Sequence, residues 1–362
     1  MTKKRRLCVY LLLLCILFSF ASCGTSEAAA DLKEKETRVI VDCVGREVEV
    51  PQRVDRIACL YAFSGHVTAL LGQADKIVAV VNGLQRDLLL TEMYPSILDA
   101  AVPYTEGSIN IEELVKTEPD VVFIRESTYE TTEEMKKLEA FDLPVVVIDS
   151  NTIEQQRKAV AVVGEICGGD ALKKAGEYEA FFQEAVDFAG SKKELIEKGR
   201  KVRVYHSINE ATRTDMQNTL PAQWIELVGV ENVSVGQELG ALEGKTYANL
   251  EQIYLWDPEL IICNEPGVAN YMLEDSKWAE LQAVKEKKVY QMPIGISRWG
   301  HPGSVETPLA IYWLGKLAYP EEYKDLDLDA KTREFYGTFF KRELTGEDLG
   351  KIFSGEGMRK DQ

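Results

Sequence analysis

One helix–strand unit occurs twice in this chain, and no other feature constrains its fold as much. Residues 109–124 read INIEELVKTEPDVVFI and residues 248–263 read ANLEQIYLWDPELIIC. Asn110 matches Asn249, Glu112 matches Glu251 and Pro119 matches Pro258, with like-for-like apolar exchanges around them. Each copy opens on an Asn followed three residues on by Glu113 or Gln252, the spacing of a capping box. A Pro then stops the helix, and an apolar strand follows at Asp120–Ile124 or Glu259–Cys263. Two copies far apart in the chain predict two similar lobes.

The surrounding pattern agrees. Apolar runs at Arg56–Ala62, Lys76–Val81, Val121–Ile124 and Pro144–Ile148 alternate with helical stretches in the first half. In the second half, strands are expected at Val202–His206, Leu260–Cys263 and Val289–Met292, and helices at Ala222–Val228, Asp275–Val284 and Val305–Leu317. Such alternation predicts an α/β fold with parallel sheets. Between the halves, Ile153–Ile166 and Ala171–Lys198 read as helices separated by Gly168-Gly169-Asp170. The second carries Tyr178, Phe181, Phe182, Ala185 and Phe188 as one apolar stripe. It is long enough, at about 42 Å, to join two lobes as a single stiff helix. The expected fold is therefore two similar parallel-sheet lobes joined by one long connecting helix, with a ligand cleft between them.

The N-terminus bears on compartment. Lys3, Lys4, Arg5 and Arg6 precede an uncharged run, Leu7–Phe20, too short to span a bilayer comfortably and of signal-peptide length. Ala21 and Ser22 lead into Cys23, where a signal would be cut. This resembles the bacterial lipoprotein signal, although Phe20 stands where an aliphatic residue is usual. The resemblance implies that Cys23 is acylated and that the mature protein is exported and lipid-anchored, on the outer face of the cytoplasmic membrane or in the periplasm. The expected divisions are a signal peptide 1–22, a polar tether 23–37, an N-terminal lobe 38–151, connecting helices 152–199, a C-terminal lobe 200–326 and a helical tail 327–362. Cys43, Cys59, Cys167 and Cys263 allow three disulfide pairings, but three lie in apolar runs and no CxxC occurs, which points to free thiols.

The charge excludes one class of partner. With 42 basic and 59 acidic residues the formal charge is −17, so the body repels phosphate backbones and nucleic-acid binding is not expected. An anionic ligand has to be held by a local cluster of Arg or His. Enzyme signatures are missing from the sequence: there is no GxSxG, HExxH, P-loop or GxGxxG.

The lipoprotein start, the paired lobes, the long helix and the repeated N-x-E-x-[IL]…P-[DE] unit resemble the iron-chelate/cobalamin family of ABC-transporter substrate-binding lipoproteins. VDCVGREVEVPQRVDRIACLYAFSGHVTALLG (Val41–Gly72) and YWLGKLAYPE (Tyr312–Glu321) carry the same likeness, which runs from Thr37 to about Phe353. The resemblance implies no enzyme and no intrinsic cofactor. It implies instead capture of an iron or cobalt chelate (ferric siderophore, haem or corrinoid) for a permease homodimer and its ATPase subunits. It also implies one Glu on each lobe pairing with Arg on the permease; the matching residues are Glu112 and Glu251.

Ligands of open α/β sheets bind beyond the carboxyl ends of the strands. That rule selects His66 after the first strand and Arg125 after Val121–Ile124. It also selects His206 and Arg213 after Val202–Tyr205, and Arg298, Trp299 and His301 after Val289–Met292. His66 either caps a helix or faces the ligand, and His206 is either a ligand contact or a buried strand-end residue. Trp299 suits stacking on a planar ligand, Arg298 either forks a ligand carboxylate or holds a carboxylate of its own loops, and His66 or His301 suits an axial position on a metal. The alternatives are a free Zn, Mn or Ni ion held by the three His with carboxylates and, less favoured, an exported hydrolase.

Overall fold

Five of the six strands in the N-terminal lobe run parallel, as the alternation of strand and helix requires. In spatial order they are Ser108–Ile109, Ala101–Thr105, Ile77–Val81, Ile57–Cys59, Val121–Ile124 and Val145–Val147; only the edge pair of Ser108–Ile109 and Ala101–Thr105 is antiparallel. This computed structural model describes residues 36–242 and 244–360; the expected signal peptide and Cys23 lie outside the described residues. A hairpin, Thr37–Val41 with Glu47–Pro51, precedes the sheet. The C-terminal lobe has four parallel strands in the order Glu231–Asn232, Arg203–Ser207, Leu260–Cys263 and Val289–Gln291. A second hairpin, Gly240–Leu242 with Lys245–Tyr247, lies beside it. The fold is thus mixed α/β with parallel sheets and a long central helix.

The repeated unit forms as its residues dictate. Helix Ile111–Lys116 is capped by Asn110, which accepts from the Glu113 amide, and helix Leu250–Trp256 has a complete capping box of Asn249 and Gln252. The strands that follow are buried at every position, which explains their unbroken apolar runs. One expected element differs. Asp275–Val284 is not a helix but a 3-10 turn, Ser276–Trp278, followed by helix Gln282–Lys285. Asp275 accepts from the Lys277 amide and Asp257 from the Gln282 amide, so the two short turns are capped separately. Extended Leu281 between them lets both Trp278 and Leu281 enter the lobe's core.

The lobes are joined by helix Ile153–Cys167 and helix Gly169–Glu197, with Gly168 at φ +65° between them. Along the second, Tyr178, Phe181, Phe182 and Ala185 are buried. Phe181 meets Phe335 at 5.4 Å and Tyr178 meets Phe339 at 5.9 Å, so the tail helix Leu328–Phe340 covers the stripe. The last helix, Gly346–Ser354, lies on the C-terminal lobe, where the Ile294 amide donates to the Ile352 carbonyl. The chain then reaches the N-terminal lobe: the Leu88 amide donates to the Met358 carbonyl and the Lys360 amide to the Arg86 carbonyl. Cys43, Cys59, Cys167 and Cys263 are free. Among the described residues no helix is long and apolar enough to cross a membrane.

Candidate functional site

Between the lobes lies a cavity of about 590 Å³, lined by the loops and helices that follow the carboxyl ends of both sheets. His66, Arg125, Arg213, Arg298 and His301 all line it, as strand order predicts. Two of the expected residues do not. His206 is fully buried, with Nδ1 2.9 Å from Asp215 Oδ2 and its ring edge-on to Trp224. Trp299 is also fully buried: Nε1 donates to Glu306 at 3.0 Å and its ring meets Phe353 at 6.0 Å. A stacking surface for a planar ligand is therefore not what Trp299 supplies. The loop folds it inward because Glu306 satisfies its indole N–H inside the core.

Glu306 organises the whole loop. Its carboxylate accepts from the Ser297 amide, the Ser297 hydroxyl, Trp299 Nε1 and the Tyr336 hydroxyl. Burial nonetheless pushes its pKa up to about 7, the four donors opposing that rise. Gly295 has no room for a side chain here, since a Cβ would sit 1.9 Å from the Tyr336 hydroxyl. At Gly300 the backbone is left-handed and a Cβ would meet the Trp224 ring at 2.6 Å. Trp224 Nε1 donates to the Gly300 carbonyl at 2.9 Å. With its backbone pinned at these points, the loop presents Arg298 and His301 to the cavity.

Neither expected metal-ligating His has a free nitrogen. His66 stands inside helix Ala62–Leu70 and does not cap it; Nδ1 lies 2.9 Å from the Gly303 carbonyl and Nε2 3.0 Å from Asp87 Oδ2, so the ring ties the N-terminal lobe to the opposite loop. His301 Nδ1 accepts from the Gly303 amide at 3.0 Å, so in the neutral ring Nε2, 3.1 Å from Arg298 Nη2, carries the hydrogen and has no lone pair for a metal. Among the described residues no group of three or more His, Cys, Asp or Glu is placed to hold a metal ion. Burial, followed by the charges of Arg298, Arg359 and Arg213, holds His301 well below its ordinary pKa and hence neutral at pH 7.

Three residues that the sequence reading missed, Glu265, Asp87 and Arg359, set the charges at this end of the cavity. Glu265 pairs with Arg298 and lies 3.6 Å from Arg359, while Arg359 Nε lies 3.1 Å from Asp87 Oδ1. Asn209, left-handed at φ +62°, accepts from Arg298 as well. Burial and the neighbouring Arg359 lower the Arg298 pKa to about 10, which still leaves it charged at neutral pH. Glu265 was open to discovery, since it occupies the repeat position of Glu126. Asp87 and Arg359 carry no motif, and only folding brings them together. On the cavity's N-terminal wall Arg125 stands beside a pair of carboxyls: Glu126 faces Asp149, and desolvation and that second carboxylate raise the Glu126 pKa.

Comparison with known proteins supports this architecture. The molybdate-binding protein MolA of Haemophilus influenzae is 28% identical over 363 residues, covering 94% of this chain and 99% of the relative. Its structure with molybdate bound aligns at a TM-score of 0.74 and 25% identity, over 85% of this chain and 99% of that one. A periplasmic solute-binding protein of Veillonella parvula aligns at a TM-score of 0.76 and 25% identity, over 89% of this chain and all of that one. Residues 57–294 match the periplasmic binding protein family. The chain belongs to that family, as a substrate-binding protein of an ABC transporter and not as an enzyme.

Proposed function

We propose that this protein captures an anionic metal species in the interlobe cleft and delivers it to its permease. The observation that carries this reading is the gathering of Arg213, Arg298 and Arg359 around neutral His301 at one end of the cavity. Guanidinium groups in a sheltered site fork tetrahedral oxyanions and carboxylates alike. A metal oxyanion of the molybdate class fits that chemistry best, and the likeness to MolA over nearly the whole chain supports it. A second reading, an iron or cobalt chelate with carboxylates (ferric siderophore, haem or corrinoid), is favoured by the volume of about 590 Å³, far more than one oxyanion fills. Calorimetric titration with molybdate, tungstate, ferric citrate, haem and cobalamin tests both. One-to-one molybdate binding competed by tungstate is expected. Binding only to a chelate establishes the second reading, and tight binding of free Zn²⁺ alone overturns both.

The same proposal places the protein outside the cytoplasm, anchored through acylated Cys23. Mass spectrometry of protein from a bacterial host should find residues 1–22 removed and Cys23 lipidated; an intact N-terminus or a bare Cys23 contradicts it. Docking on the permease homodimer and its ATPase subunits is assigned to Glu112 and Glu251. Both are exposed in the first turn of the repeated helices, one on each lobe. Each exposed ion pair is individually weak, but two placed in parallel set orientation on a two-subunit partner.

A further inference from the structure

Arg359 belongs to neither sheet. It follows helix Gly346–Ser354, which is held on the C-terminal lobe, and lies in a segment that pairs with the N-terminal lobe. There, Asp87 and Arg359 form an antiparallel bridge. On either side of it the Leu88 amide donates to Met358 at 3.0 Å and the Lys360 amide to Arg86 at 2.9 Å; Arg86 Nε also donates to the Lys360 carbonyl at 3.0 Å. Residues Gly355–Lys360 thus strap one lobe to the other along the rim of the cleft, and the strap carries the Arg359 side chain to the cavity wall.

The placement of that side chain is informative. Only 11% of it is exposed, and it lies between a carboxylate of each lobe, Asp87 and Glu265. Its Nε lies 3.1 Å from Asp87 Oδ1 without an aligned hydrogen bond, an ion pair that holds the guanidinium at the cavity wall. A guanidinium carries five N–H donors, more than two carboxylates at 3.1 and 3.6 Å can engage, so the group keeps donors for an incoming acceptor. Arg298, across the shared Glu265, supplies a second guanidinium.

We propose that Arg359 is a ligand-contacting residue of this cleft, presented by the C-terminal strap as the second guanidinium beside Arg298. This rests on the reading of the ligand as an anion. Arg359→Lys keeps the charge between Asp87 and Glu265 but cannot fork an anion, and Arg359→Gln loses both. Titrating the parent and both variants with molybdate, and with ferric citrate as a second anionic probe, gives the affinities; hydrogen exchange over the segment around Leu88 reports whether the strap stays attached. The expected result is a loss of at least fivefold for Arg359→Lys and more for Arg359→Gln, with a shallower salt dependence for Arg359→Gln. Protection at Leu88 should be unchanged in Arg359→Lys. A parent that binds an anion while both variants match it within twofold overturns this inference alone. So does an affinity loss that appears only where Leu88 protection also collapses, since Arg359 would then merely hold the strap. A parent that binds neither anion overturns the anionic reading and this inference with it.

Discussion

Glu126 and Glu265 occupy the same place in the two copies of the repeat, two residues beyond the end of its strand, yet they live in opposite electrostatic surroundings. Glu126, on the N-terminal side, meets Asp149, and the two carboxyls repel. Glu265, on the C-terminal side, meets Arg298 and Arg359. The preceding residue diverges as well: Arg125 is exposed, whereas Asn264 is buried and accepts from the Asn209 amide. One repeated geometry therefore supports two different walls, because a strand end specifies where a side chain emerges and not what it finds there. The cationic wall is built from loops, and Glu265 holds its guanidinium groups in place before any ligand arrives.

The sharpest way to break this comparison is to truncate each Glu in turn. Glu265→Ala leaves Arg298, mostly buried, without its main counter-charge and should destabilise the protein by about 3 kcal/mol in urea denaturation. Glu126→Gln removes a repulsion and should change stability by less than about 0.5 kcal/mol, in either direction. Equal effects of the two substitutions would erase the contrast between the walls.

A second contrast concerns buried carboxylates. Asp42 of the N-terminal lobe has the Arg46 guanidinium at 2.8 Å, whereas Glu306 behind the C-terminal wall has only neutral donors. With its folded pKa raised from 4.5 to about 7, Glu306 holds its proton in the folded state where the unfolded chain has lost it. Its contribution is therefore fully present below pH 4.5 and is lost as pH rises to 7 and beyond, a decline of about 3 kcal/mol. Denaturation midpoints across pH 4–8 should show this slope in the parent and not in Glu306→Gln. That variant should also be less stable at low pH, because its amide N–H₂ faces donors.

Smaller effects sharpen the link between the walls. Asp87→Asn weakens the contacts to His66 and Arg359 together and should cost about 1–2 kcal/mol, measured by thermal or urea unfolding. Opening of the cleft should be modest, because His66 to Gly303, Ser150 to Pro302 and Gln156 to Ser304 bind the N-terminal side to one C-terminal loop. Scattering curves with and without ligand should nearly superpose. The smallest effect on the isolated protein belongs to Glu112→Gln and Glu251→Gln, which should leave folding and ligand affinity nearly unchanged. Ligand-stimulated ATPase of the reconstituted importer should fall in each and fall furthest in the double variant. A double variant that stimulates like the parent reduces both carboxylates to helix-end residues.

Much of this molecule is local in origin. The strands Val121–Ile124 and Leu260–Cys263 lie where their apolar runs put them, and Asn110 and Asn249 cap the helices that precede them. Periodicity and capping act over a few residues, so the alternation of elements, the long aromatic-striped helix and the side of the sheets on which the cavity opens were open to reading. His66, Arg125, Arg213, Arg298 and His301 followed from that rule and do line the cavity.

What a side chain meets on leaving its loop is decided by contacts far away in sequence. Trp299 turned inward because Glu306, held by Tyr336 from the tail, accepts its indole N–H. His206 closed on Asp215, and His66 spent both nitrogens on Gly303 and Asp87. Arg359 reached the cleft only because the last residues pair with Arg86 and Leu88. The sequence by itself determined the elements, the two-lobed plan and the candidate loops, since these depend on short-range pattern and burial. Only the tertiary structure decided which charges face one another, because electrostatic partners are chosen by distance in space and by shelter from water, neither of which any local pattern encodes.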